Sequence, residues 1–71
     1  MKIHLYQNQF KEYREMPKTG LREFSRLTNV STTTLLKIEK GEFVNLRVIN
    51  IYLNGLSDIT NNTFIFVFNQ K

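Results

Sequence analysis

Four residues, Thr28-Asn29-Val30-Ser31, have to end one helix and begin another. That break constrains the chain more than any other feature. Asn29 tolerates the left-handed backbone conformation better than most side chains, so it can turn the chain out of a helix. Ser31 can cap the next helix by accepting a hydrogen bond from one of its first free N–H groups. Val30 before the cap and Leu35 four positions into the helix have the spacing of a hydrophobic staple. Gly41 then supplies a C-terminal stop after about Lys40.

Similar punctuation divides the rest of the chain. Pro17 and Gly20 break it after a first helix, from about Leu5 or Asn8 to Met16, whose apolar stripe is Phe10 and Tyr13 extended by Tyr6 and Met16. Thr19 is the expected N-cap of a second helix with Leu21, Phe24 and Leu27 on one face. A fourth helix is expected from about Asn45 to Asn54. It carries Leu46, Ile49 and Leu53, with Val48, Ile51 and Tyr52 widening its apolar face, and Gly55 ends it. After Thr60-Asn61-Asn62, the run Thr63-Phe64-Ile65-Phe66-Val67-Phe68 is β-branched or aromatic throughout and favours a strand. The expected fold is mostly α: a four- to five-helix unit with a C-terminal β-strand. With 71 residues the chain is read as one domain, residues 1–71, its helical core about 5–60 and its strand about 63–68. It has no cysteine, so neither a disulfide nor a thiolate metal site can staple it. Stability must come from helix packing or a partner subunit.

The formal net charge is +4, and it is unevenly placed. Every Lys and Arg except Lys71 lies at or before Arg47, whereas residues 48–70 carry one charge, Asp58. A basic front and a neutral, apolar tail suggest two surfaces with different partners. A basic face suits phosphate, because neutralising phosphates releases counterions. Catalysis finds little support. His4 is the single histidine, near one end, and the six acids show no paired spacing. There is no glycine-rich phosphate loop and no metal-ligand cluster, so no cofactor and no metal are expected. No apolar run approaches about 18 residues and no basic-then-apolar leader opens the chain. The expected location is cytoplasmic, without a membrane partner.

On a helical wheel at about 100° per residue, the third helix puts Leu35 and Ile38 on one side. Thr32, Thr33, Leu36, Lys37 and Lys40 fall on the other. Threonine can hydrogen-bond to base edges, and lysine can donate to guanine or to phosphate. The segment from Leu21 to Gly41, LREFSRLTNVSTTTLLKIEKG, resembles the Xre/Cro-type helix-turn-helix signature. Ser25 fills the family's small position in the second helix, and Val30-Ser31 and Ile38-Glu39-Lys40-Gly41 match its later elements. The likeness spans roughly Gln9 to Leu56. It implies that Thr32, Thr33 and Lys37 read DNA bases and that Lys40 and Arg47 touch the DNA backbone or minor groove. It also implies a structural ion pair between Arg14 and Glu39. Two positions depart from the family. Leu21 stands where a phosphate-binding glutamine is common, and Leu36 sits amid the exposed face, where it could make an apolar contact with thymine methyls or with protein.

Phe64, Phe66 and Phe68 alternate with Ile65 and Val67, so both strand faces are apolar and the strand's edge needs a partner. One pairing lies within the chain, with the alternating segment Lys2 to Tyr6. The other joins Phe64–Phe68 to the same strand of a second copy. A helical unit followed by such a strand is similar to the HipB-type antitoxin repressors, which implies a homodimer. The expected function is that of a non-enzymatic transcriptional regulator binding a double-stranded DNA operator as a repressor, autoregulating antitoxins included. The alternative is a protein-binding module on the same fold, an antitoxin or anti-repressor whose partner is a toxin or repressor protein.

Overall fold

The computed structural model describes residues 2–42 and 44–67. In chain order it contains strand β1 (Lys2–Leu5), a 3-10 turn (Gln7–Gln9), and helices α1 (Phe10–Glu15), α2 (Leu21–Thr28), α3 (Thr32–Glu39) and α4 (Leu46–Thr60). Strand β2 (Thr63–Phe66) closes the order. The chain is thus mostly helical with a short C-terminal strand, and β1 is an element the sequence raised only as a pairing partner.

The core draws four residues from α4, two from α3 and one each from α1, α2 and the two strands. Leu5, Phe10, Phe24, Leu35, Ile38, Ile49, Tyr52, Leu53, Leu56 and Phe64 are buried. Tyr52 is the hub of its aromatic part. The Phe10 ring stacks on it at 5.0 Å between centroids, and the Phe24 ring meets it edge-on at 4.7 Å. Such offset and edge-to-face pairs are favoured by the ring quadrupole.

Several boundaries differ from expectation. Helix α2 is capped by Gly20, not Thr19, because Thr19 is buried and its carbonyl accepts a hydrogen bond from Arg14 Nη1 at 2.8 Å. The inner face of α2 is buried Phe24 flanked by half-buried Leu21, Ser25 and Thr28, which leaves Leu27 46% exposed rather than in the core. Tyr6, Met16 and Leu46 also lie exposed at the ends of their elements.

Helix α4 does not stop at Gly55. It continues to Thr60 and ends at Asn61, whose φ of 60° is left-handed. Gly55 serves close approach instead of termination. A Cβ there would lie 2.7 Å from Thr28 Cγ2 and 2.9 Å from Phe24 Cζ, so the missing side chain lets α4 pack against α2.

Strand β2 spans Thr63–Phe66, shorter than expected, and Phe68 lies outside the described residues. It pairs in parallel with β1, in the register Lys2↔Thr63, Ile3↔Phe64, His4↔Ile65 and Leu5↔Phe66. The pair is extended by Val67 N–H donating to the Leu5 carbonyl at 2.8 Å. Of the two pairings the sequence left open for Phe64, Ile65, Phe66 and Val67, the structure shows the one with the chain's own N-terminal segment. Pairing in the same chain avoids the loss of freedom that joining two molecules costs. Ile3, Leu5, Phe64 and Phe66 face the helices, whereas Lys2, His4, Thr63 and Ile65 face out.

Candidate nucleic-acid interface

The α2–α3 turn is held by its own short side chains. Asn29 adopts φ 60°, ψ 30°, and its N–H donates to the Ser25 carbonyl. Ser25 Oγ donates to the Val30 carbonyl at 2.6 Å, which explains why a small hydroxyl residue stands there. Thr28 Oγ1 donates to the Phe24 carbonyl and accepts from the Val30 N–H at 3.3 Å. Ser31 Oγ caps α3 by accepting from the Thr34 N–H at 3.2 Å. Val30 is half-buried against the core that contains Leu35.

The other end of α3 is equally determined. Gly41, at φ 89°, donates its N–H to the Ile38 carbonyl, and the Glu42 N–H donates to the Lys37 carbonyl, each at 3.0 Å. That pair of bonds is a Schellman motif. Gln7, which the sequence did not single out, adds a third tie. Its Nε2 donates to the Ile38 carbonyl at 2.9 Å and to the Glu42 carbonyl at 2.8 Å. No periodicity marks such a residue, because its partners lie more than thirty positions away.

Between these ends, Leu35 and Ile38 are fully buried and fix the roll of the helix. Thr33, Lys37 and Lys40 are exposed, at positions i, i+4 and i+7 of one face. Leu36 lies on that face, 42% exposed. Thr32 is half-buried, less available than the sequence suggested for a base-reading residue. Arg47 is exposed in the first turn of α4, which Asn45 Oδ1 caps by accepting from the Val48 N–H at 2.9 Å. Arg22 and Arg26 are exposed one turn apart on α2.

Behind the face lies the ion pair. Arg14 Nε donates to Glu39 Oε2 at 2.7 Å and Nη2 donates to Oε1 at 3.1 Å, a bidentate fork with side chains 5% and 3% exposed. Tyr52 donates its phenol O–H to the same Glu39 Oε2. The network ties α1, α3, α4 and the segment before α2 together. Burial works against the Arg14 charge, but Glu39's hydrogen bond and charge outweigh it and leave the guanidinium pKa raised. Burial, and then Glu39's hydrogen bond and charge, push the Tyr52 phenol well above its ordinary value. Among the described residues no buried side-chain N or O lacks a partner.

Among the described residues there is no pocket and no cluster of His, Cys, Asp or Glu suited to a metal ion. No helix among them is long and apolar enough to cross a membrane. What the arrangement can do is present a rigid, partly basic helix face to a flat or grooved partner. No protein family, curated protein or solved structure matches the chain.

Proposed function

We propose that the chain is a DNA-binding transcriptional regulator with an Xre/Cro-like helix-turn-helix, α3 being the helix that enters the major groove of an operator. One observation carries this reading. Helix α3 is anchored through Leu35 and Ile38 and held at both ends, while Thr33, Lys37 and Lys40 stand exposed on one face. A groove-reading helix needs that combination: rigid support, with hydroxyls and cations turned outward. Thr33 and Lys37 read base edges in this proposal, with Thr32 contributing from its half-buried position. Lys40 and Arg47 take DNA phosphates or the minor groove. Two recognition helices on a two-fold homodimer would meet two half-sites. Because β1 takes one edge of β2, such a dimer would need the other edge of β2 or a different surface. Sedimentation velocity at micromolar concentration tests it, a clean monomer sinking the dimer.

The decisive experiment is an electrophoretic shift with DNA from upstream of the gene, repeated across a salt series. Affinity should fall linearly on a log–log plot against salt, as phosphate neutralisation requires. The absence of salt-sensitive binding to any upstream fragment refutes the reading. Leu36 favours a second reading, because an apolar side chain amid the exposed face suits a protein partner, such as a toxin or another repressor. Leu36→Ala separates the two: it should leave most DNA affinity intact but abolish a protein complex.

A further inference from the structure

We infer that Gln7 is a positioning residue for the DNA-contacting face, a conclusion that rests on the DNA-binding reading above. Gln7 sits just after β1, in the turn that leads into α1. Both hydrogens of its side-chain amide are committed, one to the Ile38 carbonyl inside α3 and one to the Glu42 carbonyl beyond it. A terminal amide has two donors, and two carbonyls facing it use both. The Schellman bonds from Gly41 and Glu42 close the helix end locally. Gln7 does something they cannot, which is to fasten that end to a different part of the molecule. The residues fastened lie on either side of Lys40, and the chain runs on from Glu42 to the Asn45 cap and Arg47.

The consequence is a division of labour on the proposed face. Leu35 and Ile38 set the middle of α3, and so Thr33 and Lys37. Gln7, together with the Arg14–Glu39–Tyr52 network, sets its end, and so the placement of Lys40 relative to them. Because Lys40 is a backbone-contacting position in the proposal, loosening the end should weaken binding to every DNA sequence alike. Sequence preference should survive, because the base-reading middle keeps its own anchors.

Gln7→Glu is nearly isosteric but turns a carboxylate oxygen towards two carbonyl oxygens. Gln7→Ala leaves a half-buried gap that water can enter, so it is the milder change and keeps the fold testable. Three measurements on the full chain decide the matter: melting temperature, hydrogen exchange of the Gly41 and Glu42 amides, and affinity for an upstream duplex and an unrelated duplex. Exchange at those two amides should accelerate in both variants while the Leu35 and Ile38 amides stay protected. Affinity should fall about tenfold for both duplexes, and at least as far for Gln7→Glu as for Gln7→Ala. A purely structural role would lower the melting temperature without that uniform loss at temperatures where both variants are folded. Unchanged exchange and unchanged affinity in the variants overturn the inference. If the wild-type chain itself binds neither duplex, the DNA reading fails and the exchange data judge the clamp alone, retained protection overturning it.

Discussion

The helix-turn-helix half and the strand half of this protein are built by opposite rules. Between Leu21 and Gly41 nearly every determining bond is local: Ser25 to Val30, Thr28 to Val30, Ser31 to Thr34, Gly41 to Ile38. The strand half has almost no local logic. Lys2 pairs with Thr63, so β1 and β2 meet across the whole span of the four helices. Local contacts cost little loop-closure entropy and long-range ones cost more. The α2–α3 unit can therefore be shaped by short-range chemistry, whereas the β1–β2 seam rests on contacts far apart in the sequence. Helix α1 joins the two. Arg14 holds it to Glu39 of α3, and its Phe10 and Tyr13 rings meet Phe66 and Phe64 of β2. Gln7, just after β1, bonds the end of α3.

Glu39→Ala should break both halves together. It leaves the Arg14 guanidinium buried without its carboxylate, a loss of about 3–5 kcal/mol. Total stabilities of small domains are about 5–15 kcal/mol, so urea titration should find this variant largely unfolded or near it. An unchanged urea midpoint would show that the network is not what joins the halves.

Leu5→Ala attacks the strand half where it packs on the common core. Leu5 is fully buried, and its truncation should cost about 2–5 kcal/mol. If the seam supports the whole molecule, circular dichroism and tyrosine fluorescence will report one coincident transition at lower denaturant. Two separated transitions would mean that the helix-turn-helix half stands by itself.

Tyr52→Phe probes the junction more gently. It removes a hydrogen bond to a charged group, a loss of about 1.5–3 kcal/mol. It also carries a pH signature. The phenol's pKa is raised on folding, so its contribution is fully present below the unfolded value of about 10. That contribution is lost as pH climbs from there towards the folded value, since the unfolded chain ionises first. Wild type should lose stability between pH 9 and 11 in urea melts, and Tyr52→Phe should lose less over the same interval.

Gly55→Ala tests the contact between α2 and α4. The added methyl collides with Thr28 and the buried Phe24 ring, at a cost of about 1–3 kcal/mol. Alanine's better helix propensity returns about 1 kcal/mol, leaving a net loss of about 1 kcal/mol. A more stable variant would show that α2 moves away freely. Lys37→Ala should have the smallest effect on the fold, within about 0.5 kcal/mol. On the DNA-binding proposal, its effect is on DNA affinity, about 1–3 kcal/mol at the preferred site with relaxed preference there, whereas Lys40→Ala should weaken all sequences alike. Equal behaviour of the two lysines would erase the distinction between the middle of α3 and its end.

Residues 21–41 could be read from the amino-acid order because their structure is decided within a few positions. Asn29 in the left-handed region, Ser31 as a cap, Gly41 as a stop, and Leu35 and Ile38 on the inner face all follow from side-chain chemistry and helical spacing. The ion pair of Arg14 with Glu39 was legible through family resemblance, not through spacing. Gly55 was misread as a stop because a glycine that ends a helix and one that admits a neighbouring helix look alike until Phe24 and Thr28 are seen against it. Thr19 looked like a cap until Arg14 was seen to claim its carbonyl. The strand's need for a partner was plain from its alternating aromatic residues, but its choice of partner was not. Both Lys2–Tyr6 and a second copy offered an alternating strand, and only the path of the helices brings Ile3 and Leu5 beside Phe64 and Phe66. Gln7 is the extreme case: its partners are backbone carbonyls, which every residue carries, so tertiary structure alone selects Ile38 and Glu42.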